Sequence, residues 1–304
     1  MNSSTGALAA LGTAVSWTVT ALAFEYAGKR IGAFALNFLR LFLGFLFLGL
    51  YCLVTRGSFL PLDAPGSAWI WLSISGVVGF VIGDLLLFQA FIDIGSRVSM
   101  LIFASAPALT AVLGFGFLGE KPAGLALIGM ALTMAGIAVV VLGKGATDAA
   151  ASGHEARPRR LRIRGLLCAA GGALGQAVGL ILSKVGVSNL DPFAGTQIRV
   201  TAGVLSFAVV LFVVRAWKGT WVALRDRKAV ASLSLGAFFG PFLGVSLSLL
   251  AVQSTEAGVA AAIMSIIPVL IIAPSALIYR ERVHMREVLG SLVAVSGVFI
   301  LLLG

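Results

Sequence analysis

The stretch FALNFLRLFLG at residues 34–44 returns as FAGTQIRVTAG at residues 193–203. Phe34, Ala35, Arg40 and Gly44 fall on Phe193, Ala194, Arg199 and Gly203 at a constant offset of 159, and each arginine is the one charge in its apolar run. A charge in such a run is costly, so its recurrence in register marks a duplicated unit that can be followed outward. Upstream, Gly6, Gly12 and Ala14 match Gly165, Gly171 and Ala173 at the same offset. Downstream the offset becomes 161: Gly79, Gly83, Pro107, Glu120, Gly129, Gly136 and Gly143 match Gly240, Gly244, Pro268, Glu281, Gly290, Gly297 and Gly304. The two-residue change falls in the second loop of each half.

The chain has 304 residues, 59% of them hydrophobic and 11% charged, and a mean hydropathy of +1.05. A soluble domain carries about 45–50% apolar and about 25% charged residues, so a single soluble globular domain is excluded. Cutting at charge clusters and Pro/Gly-rich breaks leaves ten apolar segments: 6–27, 33–54, 68–91, 97–118, 123–143, 165–186, 192–214, 229–251, 256–278 and 286–303. A span takes about 17–25 residues, so each can cross a bilayer with some tilt. The expected fold is an all-α polytopic membrane protein of ten transmembrane helices. Two five-helix repeats, residues 1–143 and 165–304, are joined by a basic linker, residues 144–164.

The net charge of +10 would suggest a nucleic-acid partner in a soluble chain. Its distribution says otherwise. With segments alternating sides, 17 of the 22 Lys/Arg residues share one face and only Arg56, Lys121 and Lys184 lie on the other; Arg40 and Arg199 are inside segments. The positive-inside rule makes the 17-residue face cytoplasmic and puts both termini on the outer side of an inner (plasma) membrane. Met1–Leu11 has no Lys or Arg, so the first apolar stretch reads as a retained helix rather than a cleaved signal.

Five is an odd number, so the second repeat enters the membrane from the opposite side. Inverted repeats related by an axis in the membrane plane place a substrate site at their interface and give a route to alternating access. The duplicated small residues Gly12, Ser16, Thr20 and Gly171, Gly175, Gly179, and the pairs Gly79/Gly83 and Gly240/Gly244, suit close helix packing. Gly129, Gly136, Gly143 and Gly290, Gly297, Gly304 mark a stripe on segments five and ten. Pro107 and Pro268 interrupt helical hydrogen bonding inside segments four and nine, as a bend or as a hinge. Glu120 and Glu281 end those segments, where a carboxylate complements the next helix N-terminus or serves a gate.

Of the ionisable groups within the membrane, Arg40 and Arg199 read as anchors to carbonyls or a carboxylate, with substrate contact as the alternative. Asp84 has Val245 as its counterpart, a departure from symmetry. It is open between a proton carrier, a site for an amino group, and an ion pair with Arg40. Glu25 and Lys184 occupy equivalent segment ends, where snorkelling suffices. Trp69, Trp71, Trp217 and Trp221 lie where interfacial aromatics belong, whereas Trp17 sits mid-segment opposite Gln176 and must place its indole N–H on a cavity wall or a carbonyl. Asn37, Phe80, Phe88, Gln89, Met100, Phe103, Met264 and Ser265 complete a weakly polar, aromatic candidate cavity.

Ten spans in two repeats, Phe38-Leu39-Arg40 and Gln197-Ile198-Arg199 in the second helix of each, and Pro107 with Gly119-Glu120 against Pro268 with Arg280-Glu281 resemble the EamA branch of the drug/metabolite transporter superfamily. Arg280 in place of a glycine leaves the second Gly-Glu pair incomplete. The overall pattern is also similar to the YddG-type aromatic amino-acid exporters. The resemblance implies a secondary transporter of small organic metabolites, with a cavity between helices one to four and six to nine. Amino acids, nucleotide sugars and lipophilic cations are all carried in that superfamily. Trp17, the phenylalanines and the amide and hydroxyl partners favour a neutral or aromatic amino acid, and Asp84 leaves efflux of a cationic drug as the alternative. The implied partners are the small-molecule substrate, the bilayer and, for Asp84, protons, with a monomer as the working unit and no nucleic acid.

An intramembrane enzyme is the remote alternative. Ile82-Gly83-Asp84 lacks the first glycine of an aspartyl-protease motif and has no second mid-span aspartate, while His154 and His284 lie in charged loops. Cys52 and Cys168 are isolated, and no P-loop or metal-ligand cluster occurs, so neither a cofactor nor a metal is expected.

Overall fold

Apolar runs of this length can satisfy their backbone N–H and C=O groups in lipid only within helices. The computed structural model describes residues 3–103, 105–151, 159–187, 190–272, 274 and 285–303, and every regular element among the described residues is helical. The first repeat runs α1 (Ser3–Ile31), α2 (Ala33–Arg56), α3 (Gly66–Gly76), a π-helical stretch (Val77–Gly83), α4 (Asp84–Phe103), α5 (Ala106–Leu113) with its own π-helical end (Gly114–Leu118), and α6 (Gly124–Ala151). The second runs α7 (Arg159–Val187), α8 (Pro192–Val213), the short α9 (Trp217–Ala223), α10 (Arg227–Ala237), a π-helical stretch (Phe238–Gly244), α11 (Val245–Ser254), α12 (Ala257–Met264), α13 (Ile267–Leu270) and α14 (Met285–Leu303).

Among the described residues six helices are long and apolar enough to cross a bilayer: Thr5–Gly28, Phe34–Arg56, Gly66–Leu87, Ile163–Val187, Pro192–Val213 and Arg227–Ser254. Ala106–Leu118, Gly124–Val139 and Val288–Leu302 are shorter apolar helices. Segments four and nine each break just before their proline. Pro107 and Pro268 sit in the first turn of α5 and α13, where a missing N–H leaves no bond unmade. The breaks match across the repeats: Ser105 N bonds Ile102 O and Leu109 N bonds Ser105 O, as Ile266 N bonds Ile263 O and Leu270 N bonds Ile266 O.

The repeats interlock. α1 runs antiparallel along α10, the second π stretch and α11 of the other repeat, and α7 does the same along α3, the first π stretch and α4. Glycine makes both approaches close. A Cβ on Gly175 would lie 3.0 Å from Gly83 Cα, one on Gly179 3.2 Å from Gly79 Cα, and one on Gly240 2.8 Å from Thr20 Cγ2. Hydroxyls fasten the seams: Thr20 Oγ1 donates to Gly236 O at 3.2 Å, and Ser75 Oγ donates to Gly179 O at 2.6 Å while facing Ser183 Oγ at 2.7 Å. The two π stretches are offset by 161 residues at both ends, so the backbone irregularity is itself duplicated where the seams cross. Pro241 lies inside the second stretch, whose wider turn tolerates the missing N–H.

The glycine stripes of segments five and ten face each other. A Cβ on Gly136 would collide with Ala294 N, and one on Gly297 would meet Thr133 N at 2.5 Å, so α6 and α14 touch backbone to backbone. Polar pins hold the ends. Asp226 caps α10 through the amides of Lys228 and Ala229 and accepts from Arg30 Nε at 2.7 Å. The Arg30 guanidinium and those amides hold the Asp226 carboxyl below the usual carboxylate range. That pin is complete above the ordinary range and is lost only as pH falls through the lowered value. At the start of α7, Arg164 grips Asp93 with two bonds of 2.7 and 2.6 Å.

Two boundaries differ from those expected. α4 keeps helical backbone through residues 92–96 as far as Phe103, yet the chain has reversed by Gly114, which faces Ile181 near the end of α7 whereas Ile94 faces Gly165 near its start. α6 and α7 extend into the linker, to Ala151 and from Arg159, and on the α6 side the strong helix formers Ala149, Ala150 and Ala151 carry the helix on. The α6–α14 contact yields a direct prediction. Gly136→Ala should lower the melting temperature in detergent by overpacking, a cost of about 1–3 kcal/mol. Gly124→Ala, on the same helix with nothing within 4 Å of its Cβ, should not lower it.

Candidate functional site

The first π stretch is the place where symmetry fails. α8 lies across it: a Cβ on Gly76 would collide with Arg199 O, and one on Gly203 would meet Phe80 Cδ2 at 3.3 Å. The Arg199 guanidinium stacks on the Phe80 ring, 4.7 Å from its centroid. Arg40, its equivalent on α2, does not mirror this contact. It forms an ion pair with Asp84 at the end of the same π stretch and lies 6.0 Å from the centroid of Phe24. Both pseudo-equivalent arginines therefore address one stretch, Gly79–Asp84, of the first repeat. The cause is in the side chains, since Asp84 and Phe80 are replaced in the other repeat by Val245 and Pro241. The Arg40 side chain is 8% exposed and that of Asp84 22%, so the pair is largely buried.

Trp17 and Gln176 lie on the inner sides of α1 and α7. Gln176 is exposed although it sits roughly 160° around its helix from Leu174 and opposite Leu167, whose side chains face outward. Trp17, half-buried, stands opposite the outward Leu8, Val15 and Tyr26, and its Nε1 would be 3.2 Å from a Cβ on Gly244. Each is thus beside the seam glycine of the other repeat: Gly83 for Gln176 and Gly244 for Trp17.

The remaining candidates disperse. Asn37 is 2% exposed and packed within α2. Phe103 is half-buried at the end of α4. Met264 packs against the apolar cluster of α1, α6 and α12. Gln89 donates to Asp93 at 2.9 Å, and Ser265 Oγ to Ala262 O at 2.8 Å. Arg280, Glu281 and the side chains of Glu25, Phe88, Met100 and Pro268 lie outside the described residues.

Glu120 departs from the simple expectation that it serves the helix following it. Gly119 adopts φ +66°, and the chain turns back so that Glu120 N bonds Gly114 O. The missing side chain of Gly114 leaves room for the carboxylate, since a Cβ there would be 2.7 Å from Oε2. Oε2 then accepts from Ala257 N at 2.8 Å, capping α12 of the other repeat, while Oε1 pairs with Lys184 Nζ at 2.6 Å. Lys184 also donates to Thr255 O, so it is engaged rather than snorkelling. Beside this cluster a Cβ on Gly258 would be 2.6 Å from Ala111 Cβ, so α5 and α12 are shut together on this face. The equivalence of Lys184 and Glu25 in sequence carried no sign of this cross-repeat link.

Comparison with known proteins adds the family. The EamA-like transporter family matches residues 4–142 and again residues 163–303. The chain belongs to that family. An EamA-like protein with these apolar helices is a multi-pass membrane transporter of small metabolites. A solved structure described only as a crystal structure of a protein is similar to this EamA-like transporter in fold. Its TM-score is 0.70 at 17% sequence identity, over 97% of this chain and 94% of that one. No curated protein sequence matches.

The Arg40–Asp84 pair gives the site's sharpest mutational test. Arg40→Leu or Asp84→Leu alone leaves one buried charge unpaired and should cost about 3–5 kcal/mol. The double variant should recover most of that loss, measured by thermal unfolding in detergent.

Proposed function

We propose that this EamA-like transporter exports small organic metabolites, above all neutral or aromatic amino acids, by alternating access between inverted repeats. The observation that carries the reading is the antiparallel interlock. Each first helix is zipped to the other repeat's third segment along glycines, and each seam carries an inward Trp17 or Gln176. Rocking one repeat against the other would open that interior to one face and close it to the other. The Glu120–Ala257 and Ala111–Gly258 contacts act as the closure on the face of segment ends four, six and eight. In this reading ten segments cross the membrane, α12 and α13 together forming the ninth. The 17-to-3 charge bias supports an orientation with both termini and this closure on the outer side of the inner membrane, and the working unit in this reading is a monomer.

Phe80, Trp17 and Gln176 suit an aromatic or neutral amino acid, the substrate class of the YddG-type exporters that the sequence pattern resembles. Efflux of a lipophilic cation is the second reading and rests on Asp84 alone. The Arg40–Asp84 pair disfavours it, because the carboxylate is already neutralised. Protonation of Asp84 would release Arg40, which makes the same pair the candidate for proton coupling.

Purified protein in proteoliposomes tests the reading with radiolabelled phenylalanine, tryptophan, leucine and tetraphenylphosphonium. Protein-dependent counterflow of amino acids with little flux of the cation is the expected result. Absence of flux for all four would overturn the transport reading, and flux of the cation alone would replace the substrate class.

A further inference from the structure

Arg199 is a buried cation with no counter-charge among the described residues. The residue is 5% exposed, and its Nε, like that of Arg40, has no hydrogen-bond partner among the described residues. Among the described residues no carboxylate forms an ion pair with it; the group that meets its charge is the Phe80 ring at 4.7 Å. The contrast with Arg40 is internal to the molecule. Where Arg40 has Asp84, the symmetry-equivalent position offered to Arg199 is Val245, which is 3% exposed and packed with Ile198 and Leu249. The guanidinium instead lies over Gly79, where the absent side chain leaves an Nη nitrogen 3.6 Å from the Cβ position.

Burying an arginine in a membrane without an anion is unfavourable, and an aromatic face offsets only part of the desolvation. Two arginines and one aspartate gather on Gly79–Asp84, so among the described residues the stretch carries one positive charge in excess. Phe80 and Asp84, beside it, are partly exposed rather than fully enclosed. We infer that Arg199 is the recognition residue for the carboxylate of the transported molecule. The inference rests on the transport reading above and sharpens its substrate class. A guanidinium presents a planar fork to carboxylate or phosphate alike. A single negative charge balances the site, whereas a phosphate monoester dianion would overcompensate it, so the assigned group is a monocarboxylate.

Two readouts test this, one of which needs no flux. In detergent, L-phenylalanine and 3-phenylpropionate should raise the melting temperature of the wild-type protein, and L-phenylalaninamide and phenyl phosphate should not. Arg199→Gln should abolish that carboxylate-dependent shift and raise the KM for phenylalanine counterflow about tenfold to a hundredfold, the loss of one charge-assisted bond. It should also leave the ligand-free protein at least as stable as wild type, because it removes an unpaired charge. A structural anchor would instead be missed, and a lower ligand-free melting temperature with unchanged KM overturns the inference. So does stabilisation of the wild type by phenylalaninamide or phenyl phosphate as strong as that by phenylalanine, or by none of the carboxylates. Carboxylate-dependent stabilisation that Arg199→Gln removes, in a protein that moves no amino acid, would uphold this site and overturn the transport reading alone.

Discussion

Everything in this molecule hangs on two glycine-lined seams in which the first helix of one repeat lies against the third segment of the other. In lipid there is no hydrophobic gain in bringing apolar helices together, so close backbone contact and a few hydroxyl bonds must do it. Gly175 and Gly179 against Gly83 and Gly79, and Thr20 against Gly240, supply that contact at the positions where the backbone loosens into π-helix. Because each seam joins residues from both repeats, neither repeat can complete its own packing. The α6–α14 contact, equally dependent on glycine, ties the outermost helices of the two repeats together.

Duplication explains the scaffold, and departures from it explain the site. The arginines at 40 and 199 are symmetric in sequence, yet both are drawn to Gly79–Asp84, since only the first repeat carries Phe80 and Asp84 there. The two faces also differ. Glu120 reaches across to cap α12 and hold Lys184, a bond whose counterpart would need a lysine where the sequence has Glu25. A perfectly symmetric pair of repeats would bind its ligand without preference for a direction, so such differences are where binding and gating can be set.

Much of the fold was legible because it is written in spacing. The constant offsets of 159 and 161, the lone arginines and the facing glycine stripes all concern periodicity, which survives without knowledge of contacts. The positions of Pro107 and Pro268 foretold the interruptions of segments four and nine. The site was less legible, because which partner a long side chain chooses is decided by the path of the backbone. Asp84 could be narrowed to an ion pair with Arg40 among other roles, but Glu120 could not be sent to Ala257 without the left-handed turn at Gly119. Lys184 looked like an end-of-helix lysine for the same reason. The π-helical stretches left no mark in composition that a straight helix would lack, apart from Pro241.

The interlock itself is open to direct measurement. A Cβ on Gly6 would lie 3.0 Å from Thr255 Cβ, near the span a disulfide bridges, about 3.5–4.5 Å between Cβ atoms. In a background with Cys52 and Cys168 replaced by alanine, Gly6→Cys with Thr255→Cys should oxidise to a link between the repeats. After proteolytic cleavage in the 144–164 linker, the halves should then stay joined on a non-reducing gel and separate on reduction. Halves that separate without reductant, while both cysteines still react with maleimide in the unfolded chain, would contradict the crossed packing on which the account depends.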